Sequence, residues 1–174
     1  MKQLKDYVRE IPNFPQPGVI FRDLTTVLED ADGFRLAIDQ LQNMIKDLEY
    51  DAIAAAESRG FILAAPLAYN NHKPLIVIRK KGKLPGEVAS MDYDLEYGTA
   101  TLEVHKDSIK PGQRILLVDD LIATGGTTMA MIKLVELLGG KVADVLVLME
   151  LAGLKGREKL QGYRLDAAIT YEGK

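Results

Sequence analysis

The sequence predicts an α/β fold, a mainly parallel twisted sheet flanked by helices and carrying a flexible lid or β-arm. Three observations carry the prediction: four short continuous apolar runs, stretches of helical periodicity between them, and one long segment that keeps neither pattern. Apolar runs that do not alternate with polar residues suit strands covered on both faces, as in a parallel sheet with helices on each side. At 174 residues, against a usual domain size of about 150, residues 1–174 are expected to form a single domain.

Each element follows in order. Residues 13–18 (NFPQPG) hold two Pro and a Gly, which disfavour helix and favour a structured, turned loop. From Phe34 onward, Phe34, Ala37, Ile38, Leu41, Met44, Ile45 and Leu48 recur at three- and four-residue spacing, so one stripe of a helix faces the core, with Asp30 and Asp32 as candidate N-caps. The four apolar runs are 52–56, 75–78, 114–118 and 142–149. Between the first two, 61–71 reads as a short helix. Between the last two, Met131, Leu134, Val135 and Leu138 give 127–138 a helical face that Gly139 and Gly140 terminate. Residues 81–98 are rich in Gly, Pro and acids and read as a mobile loop leading into a half-exposed antiparallel strand at 99–105. A loop of that length in a compact domain is often a lid over a site.

Composition excludes several classes. With 22 Lys plus Arg against 25 Asp plus Glu, the net charge of −3 argues against a chain held to nucleic acid by its overall field. The absence of Cys excludes disulfides and thiolate chemistry and fits a cytoplasmic location, and with only two His a histidine-rich metal site is not expected. Residues 1–10 alternate charged and apolar side chains without the apolar core of a signal peptide, and no run of about 20 apolar residues crosses a membrane.

The most informative run is 115–128, ILLVDDLIATGGTT. Four apolar residues end in adjacent carboxylates, Asp119 and Asp120, followed by a small, Gly-containing turn that opens a helix. Ligands of open α/β sheets gather at the carboxyl ends of strands, where this pair falls. Ala123, Thr124, Gly125, Gly126 and Thr127 offer backbone N–H groups and two hydroxyls to an anion at the positive end of the helix. No Lys follows the glycines, so this is not a Walker loop, nor does it carry G-x-G-x-x-G. The cradle suits one terminal phosphate, and the paired carboxylates suit neighbouring sugar hydroxyls and the positive charge that develops at a sugar carbon. A bare TGGT could equally be a capped helix without a ligand; the paired Asp after a buried strand favours the ligand.

The run VDDLIATGGT resembles the phosphoribosyl-pyrophosphate (PRPP) binding motif of type I phosphoribosyltransferases. FPQPGVIFRDLT near the start, ESRGF at 57–61, IRKKGKLPG at 78–86, LEYG at 95–98 and LKGREKL at 154–160 narrow the resemblance to the adenine phosphoribosyltransferase branch and run in its order over nearly the whole chain. The resemblance implies transfer of the ribose 5-phosphate group of PRPP to N9 of adenine, giving AMP and pyrophosphate, with Mg²⁺ required and a homodimer as the working form. It implies adenine and PRPP as partners, with neither nucleic acid nor membrane.

The implied roles fall on residues whose types suit them. Ser58, Arg59, Arg79, Lys80 and Lys83, with Lys81, would hold pyrophosphate, since cations stabilise the charge growing on a leaving group; taken alone, such a charge run is usually a solvated face. The family carries a non-proline cis peptide at the position of Glu57–Ser58. Backbone groups near Ile20 and Arg22 would read adenine, with Phe21 and Leu121 on its two faces, although Phe21 by itself reads as a core aromatic. Glu96 would be the acid at adenine N7, with Tyr97 beside it in the lid, and as a lone signal it is one acid among Glu87, Asp92 and Asp94. Asp119 and Asp120 complete the catalytic set. Mg²⁺ would be held through PRPP without a direct protein cage, because it prefers oxygen ligands and keeps several waters. Two alternatives stay open: a phosphoribosyltransferase for another base, and a PRPP-binding regulator of nucleotide synthesis. The latter would need a basic surface or appended domain that is not evident.

Overall fold

The computed structural model describes residues 1–95 and 97–173. A 3₁₀ turn at Leu4–Tyr7 leads into a small antiparallel ribbon of β1 (Arg9–Pro12) and β2 (Ile20–Asp23), which the NFPQPG loop connects through a cis Phe14–Pro15 bond. The expected turned loop is therefore the tip of a hairpin. Short helix α1 (Thr25–Glu29) precedes α2 (Ala31–Met44). Asp30 caps α2 by accepting from the N–H groups of Asp32 and Gly33 at 2.9 and 3.0 Å, while Asp32 lies inside the first turn. The helix starts three residues before Phe34 and ends at Met44, short of Leu48.

Then follow β3 (Ala52–Ala56), α3 (Arg59–Asn70), β4 (Leu75–Lys80), β5 (Val88–Asp94), β6 (Thr99–His105), β7 (Arg114–Ile122), α4 (Gly126–Leu137), β8 (Lys141–Leu151), α5 (Gly156–Lys159) and β9 (Leu165–Tyr171). Among the described residues, seven of the strands form one sheet in the order β5-β6-β4-β3-β7-β8-β9. β4, β3, β7, β8 and β9 run parallel, and β6 and β5 are antiparallel at one edge. The mainly parallel sheet flanked by helices is the fold class expected.

Alternate residues of the central strands feed two cores. Ile53, Ala55, Leu116, Val118 and Leu146 face α2 and α3, where Leu41, Leu63 and Leu67 are buried. Ala54, Ala56, Leu117, Val145 and Val147 face α4, where Met131, Leu134 and Val135 are buried. The strands read as unbroken apolar runs because both parities are covered. Each fully buried Leu, Ile or Val contributes roughly 1.5–3 kcal/mol of apolar burial. The small Ala side chains of β3 let a helix approach closely on either face.

One expectation is corrected. Residues 81–98 are not one loop, because 88–94 pair with β6 from Val88 opposite His105 to Asp94 opposite Thr99. Ala89, Met91 and Tyr93 pack on the α4 side, whereas Ser90, Asp92 and Asp94 alternate with them. This period of two lies within a stretch whose acids and flanking glycines suggested a loop. Before β5 the stretch 81–87 is irregular, and there Glu103 accepts from Gly82 N–H at 2.7 Å and His105 Nε2 lies 2.8 Å from the Pro85 carbonyl. Glu103 is itself buried, so β6 is less exposed than its alternation implies.

Candidate active site

The carboxyl ends of β3, β4 and β7 open onto a cavity of about 550 Å³. Its floor is the end of β7. There Asp119 Oδ1 accepts from the Asp120 N–H and Asp120 Oδ1 accepts from the Leu121 N–H, both at 2.8 Å. Each carboxylate is thus oriented by the amide that follows it. Burial first, and then the charge of Asp120, raises the Asp119 carboxyl well above the usual carboxylate range. Gly60 makes room for it, since a Cβ there would stand 3.0 Å from Asp119 Oδ1. Carboxylate oxygens, which accept without donating when ionised, suit hydroxyl donors.

From β7 the chain turns through 123–125 into α4. Gly125 has φ +89°, a left-handed conformation that favours glycine, and Gly126 opens the helix. The first-turn amides of α4 have no partner four residues back within the helix and face the cavity at its positive end. Tyr93 closes the other side, and a Cβ on Gly126 would lie 3.5 Å from the Asp94 carbonyl, so the β5–β6 arm overhangs the cradle.

At the end of β3 the Glu57–Ser58 peptide bond is cis. Glu57 Oε1 accepts from the Lys80 N–H at 2.7 Å and stands 3.4 Å from Arg79 Nε. The Lys80 hydrogen bond, aided by the charges of Arg79, Lys80 and Lys83, holds the Glu57 carboxyl below its usual range despite burial. Arg59 reaches across from α3, its Nε 2.6 Å from Asp120 Oδ2.

The structure brings Ser58, Arg59, Lys80, Asp119, Asp120 and Leu121 to the wall of this cavity, together with the loop residues Ala123, Thr124, Gly125, Gly126 and Thr127. It does not bring Arg79 or Lys83 there. Arg79 turns to Glu57 because alternate residues of β4 point to opposite faces. Ile20, Phe21 and Arg22 lie on β2, also off the cavity wall. Phe21 is partly exposed and packs edge-on against Phe14 at 5.4 Å, so it is not a core aromatic. Arg22 donates to the Ile20 carbonyl and lies 4.5 Å from the Tyr171 ring centre. Tyr97 is 88% exposed and off the wall. Glu96 lies outside the described residues. Glu57, Tyr93 and Thr128 line the cavity and were not singled out as site residues; Tyr93 was legible only through the alternation in β5.

Fold and cavity together define an α/β protein equipped to hold anions and hydroxyls at the carboxyl edge of its sheet. Residues 26–173 match the family model described as the phosphoribosyl transferase domain. An adenine phosphoribosyltransferase of Agathobacter rectalis is 58% identical over 174 residues, covering 100% of both chains. The crystal structure of the adenine phosphoribosyltransferase of Thermoanaerobacter pseudethanolicus superposes with a TM-score of 0.91 at 49% identity, covering 97% of this chain and 98% of that one. The enzyme of Saccharomyces cerevisiae, solved with adenine and an imino-altritol bisphosphate, superposes with a TM-score of 0.88 at 35% identity, covering 95% and 96%. The chain belongs to the phosphoribosyltransferase family, and these relatives lie in its adenine-using branch.

Proposed function

We propose that this protein transfers the 5-phosphoribosyl group of PRPP to N9 of adenine, releasing pyrophosphate and forming AMP. The observation that carries the reading is the juxtaposition, in one cavity, of the 123–127 loop, the Asp119–Asp120 pair and the cations Arg59 and Lys80. PRPP needs those three parts: a seat for its 5-phosphate, acceptors for its ribose hydroxyls and positive charge for its pyrophosphate. The near-complete alignment with adenine phosphoribosyltransferases supports adenine as the base.

In this reading the amides of the loop and of the α4 N-terminus hold the 5-phosphate, joined by the hydroxyls of Thr124 and Thr127. Asp119 and Asp120 accept from the ribose hydroxyls and stabilise positive charge as the anomeric bond lengthens. Ser58, Arg59 and Lys80 meet the leaving pyrophosphate, and Arg79 acts through Glu57, which fixes the end of β4. Lys83 would join them from the 81–87 loop. Ile20, Phe21, Arg22 and Leu121 form the adenine side, and Glu96, with Tyr97 next to it, supplies the acid for N7. Closure of the arm would exclude water from the reacting centre.

Among the described residues no group of three His, Cys, Asp or Glu side chains has the arrangement of a metal cage. Two adjacent carboxylates beside a hydroxyl site fit a cation that arrives with oxygen ligands of its own, as Mg²⁺ does on PRPP. When bound it neutralises charge on the departing pyrophosphate. The working form in this reading is a cytoplasmic homodimer.

The test is a side-by-side assay of adenine, hypoxanthine, guanine, xanthine and orotate with PRPP and Mg²⁺, with a metal-free control. Adenine alone should yield nucleotide, and only with the metal. PRPP binding without AMP formation would point instead to a regulator.

A further inference from the structure

The segment LKGREKL at 154–160 has no part in the cavity wall, yet it supports the phosphate loop from behind. A Cβ built on Gly156 would stand 2.5 Å from the Ala123 carbonyl oxygen and 2.9 Å from Ile122 Cγ1. One built on Gly125 would stand 3.0 Å from the Gly156 carbonyl oxygen. Loop and α5 therefore meet backbone against backbone, with a glycine on each side. No side-chain rotation relieves an added atom there.

The α5 turn is itself tied down. Arg157 Nε lies 3.2 and 3.0 Å from the two carboxylate oxygens of Glu150, its Nη2 lies 2.9 Å from Oε2, and its Nη1 donates to the Leu165 carbonyl at 3.0 Å. Glu150 is buried in β8, paired with Ile122 of β7 on one side and Thr170 of β9 on the other. Leu160 is buried just beyond the turn. A bidentate Arg–carboxylate pair fixes direction as well as distance.

We propose that Gly156 and the Glu150–Arg157 pair are positioning residues for the 5-phosphate seat, an inference that rests on the proposed function. Backbone N–H donors cannot adjust by changing rotamer, so their aim depends on the path of the loop. That path is set by the surface on which 123–125 lie, and α5 is that surface. A displacement of a few tenths of an ångström there is passed directly to the donors.

The test compares wild type with Gly156→Ala, Arg157→Gln, Arg157→Lys and Lys159→Ala, using initial rates for PRPP and adenine and calorimetric titration of AMP and of adenine. Gly156→Ala and Arg157→Gln should raise KM for PRPP and weaken AMP binding by about tenfold, the scale of one misaligned charge-assisted hydrogen bond, while adenine affinity stays near wild type. Arg157→Lys should recover part of the loss, and Lys159→Ala, on the exposed side of α5, should match wild type. A general loss of structure would weaken adenine and AMP alike and would overturn the positioning role. Unchanged PRPP and AMP parameters in the folded variants would also overturn it, while wild-type AMP formation left the functional reading intact. If Gly156→Ala does not fold, Arg157→Gln decides, since it adds no atom to the contact. Absence of AMP formation by wild type would remove the functional reading and this inference with it.

Discussion

Nε of Arg59, the first residue of α3, stands 2.6 Å from Oδ2 of Asp120 near the end of β7. The contact is an ion pair without aligned hydrogen-bond geometry, because among the described residues this oxygen has no hydrogen-bond partner. The two side chains are 47% and 12% exposed, so a half-solvated cation neutralises an almost buried acid. Arg59→Ala removes that compensation and a cation from the pyrophosphate side together. AMP formation should fall by about tenfold or more in kcat/KM for PRPP, with an unchanged circular dichroism spectrum. Wild-type kcat/KM in the folded variant would remove Arg59 from the site.

The acidic pair is tested by replacing Asp119 and Asp120 together with Asn, which preserves shape and removes charge. Turnover should drop by at least about a hundredfold, the usual cost of losing preorganised charge at a developing cation. The melting temperature should hold or rise, because burial already disfavours the ionised form of Asp119. Retained turnover would sink the ribose assignment.

Glu96→Leu tests the acid at N7. The expected result is a strongly lowered kcat with adenine, by about 10²-fold, the lower range for general acid catalysis, at nearly unchanged PRPP affinity. Normal kcat would take Glu96 out of the mechanism.

A second carboxylate pair, Asp144 on β8 and Asp166 on β9, contributes to the pH dependence of stability. Burial first, and then Asp166, pushes Asp144 up to about 8. Asp144 is fully buried, and among the described residues its oxygens lack hydrogen-bond donors, with Arg164 Nε at 3.8 Å. A proton on Asp144 supplies the missing donor. An unfolded Asp titrates near 3.9, so between that value and about 8 the folded state keeps a proton that the unfolded chain has lost. Stability therefore falls as pH rises through this window and stays lowered above it. Asp166 is shifted the other way: burial would raise it, but the hydrogen bond from Arg164 and the neighbouring Asp144 lower it, so its contribution changes only at lower pH. Asp144→Asn should stabilise the protein at pH 9 by on the order of 2 kcal/mol, and much less at pH 5. Thermal melts at the two pH values check this, and equal effects at both would refute it.

Much of the fold was legible in short windows. β3 matches its apolar run from Ala52 to Ala56, and the others extend theirs by one to four residues at their ends. β7 runs on through Asp119 and Asp120 to Ile122 because its neighbour β8 continues alongside. β9 went unread: Leu165, Ala167, Ile169 and Tyr171 alternate with Asp166 and Thr170, but Ala168 blurs the period. β1 and β2 were hidden by their brevity and by the prolines between them. In the site, the 123–127 loop and the Asp pair were legible because they adjoin in sequence.

The sequence by itself determined the layered α/β architecture, the glycine-containing turn that opens α4 and the acid pair at a strand end, since these depend on burial parity and residue type over a few positions. Only the tertiary structure decided that Lys80, and not Arg79, faces the cavity, that Arg59 answers Asp120, and that Gly156 lies against Gly125. Those relationships join residues on different strands and turns. Their distances are fixed by how the sheet twists and its layers pack, which no local pattern specifies.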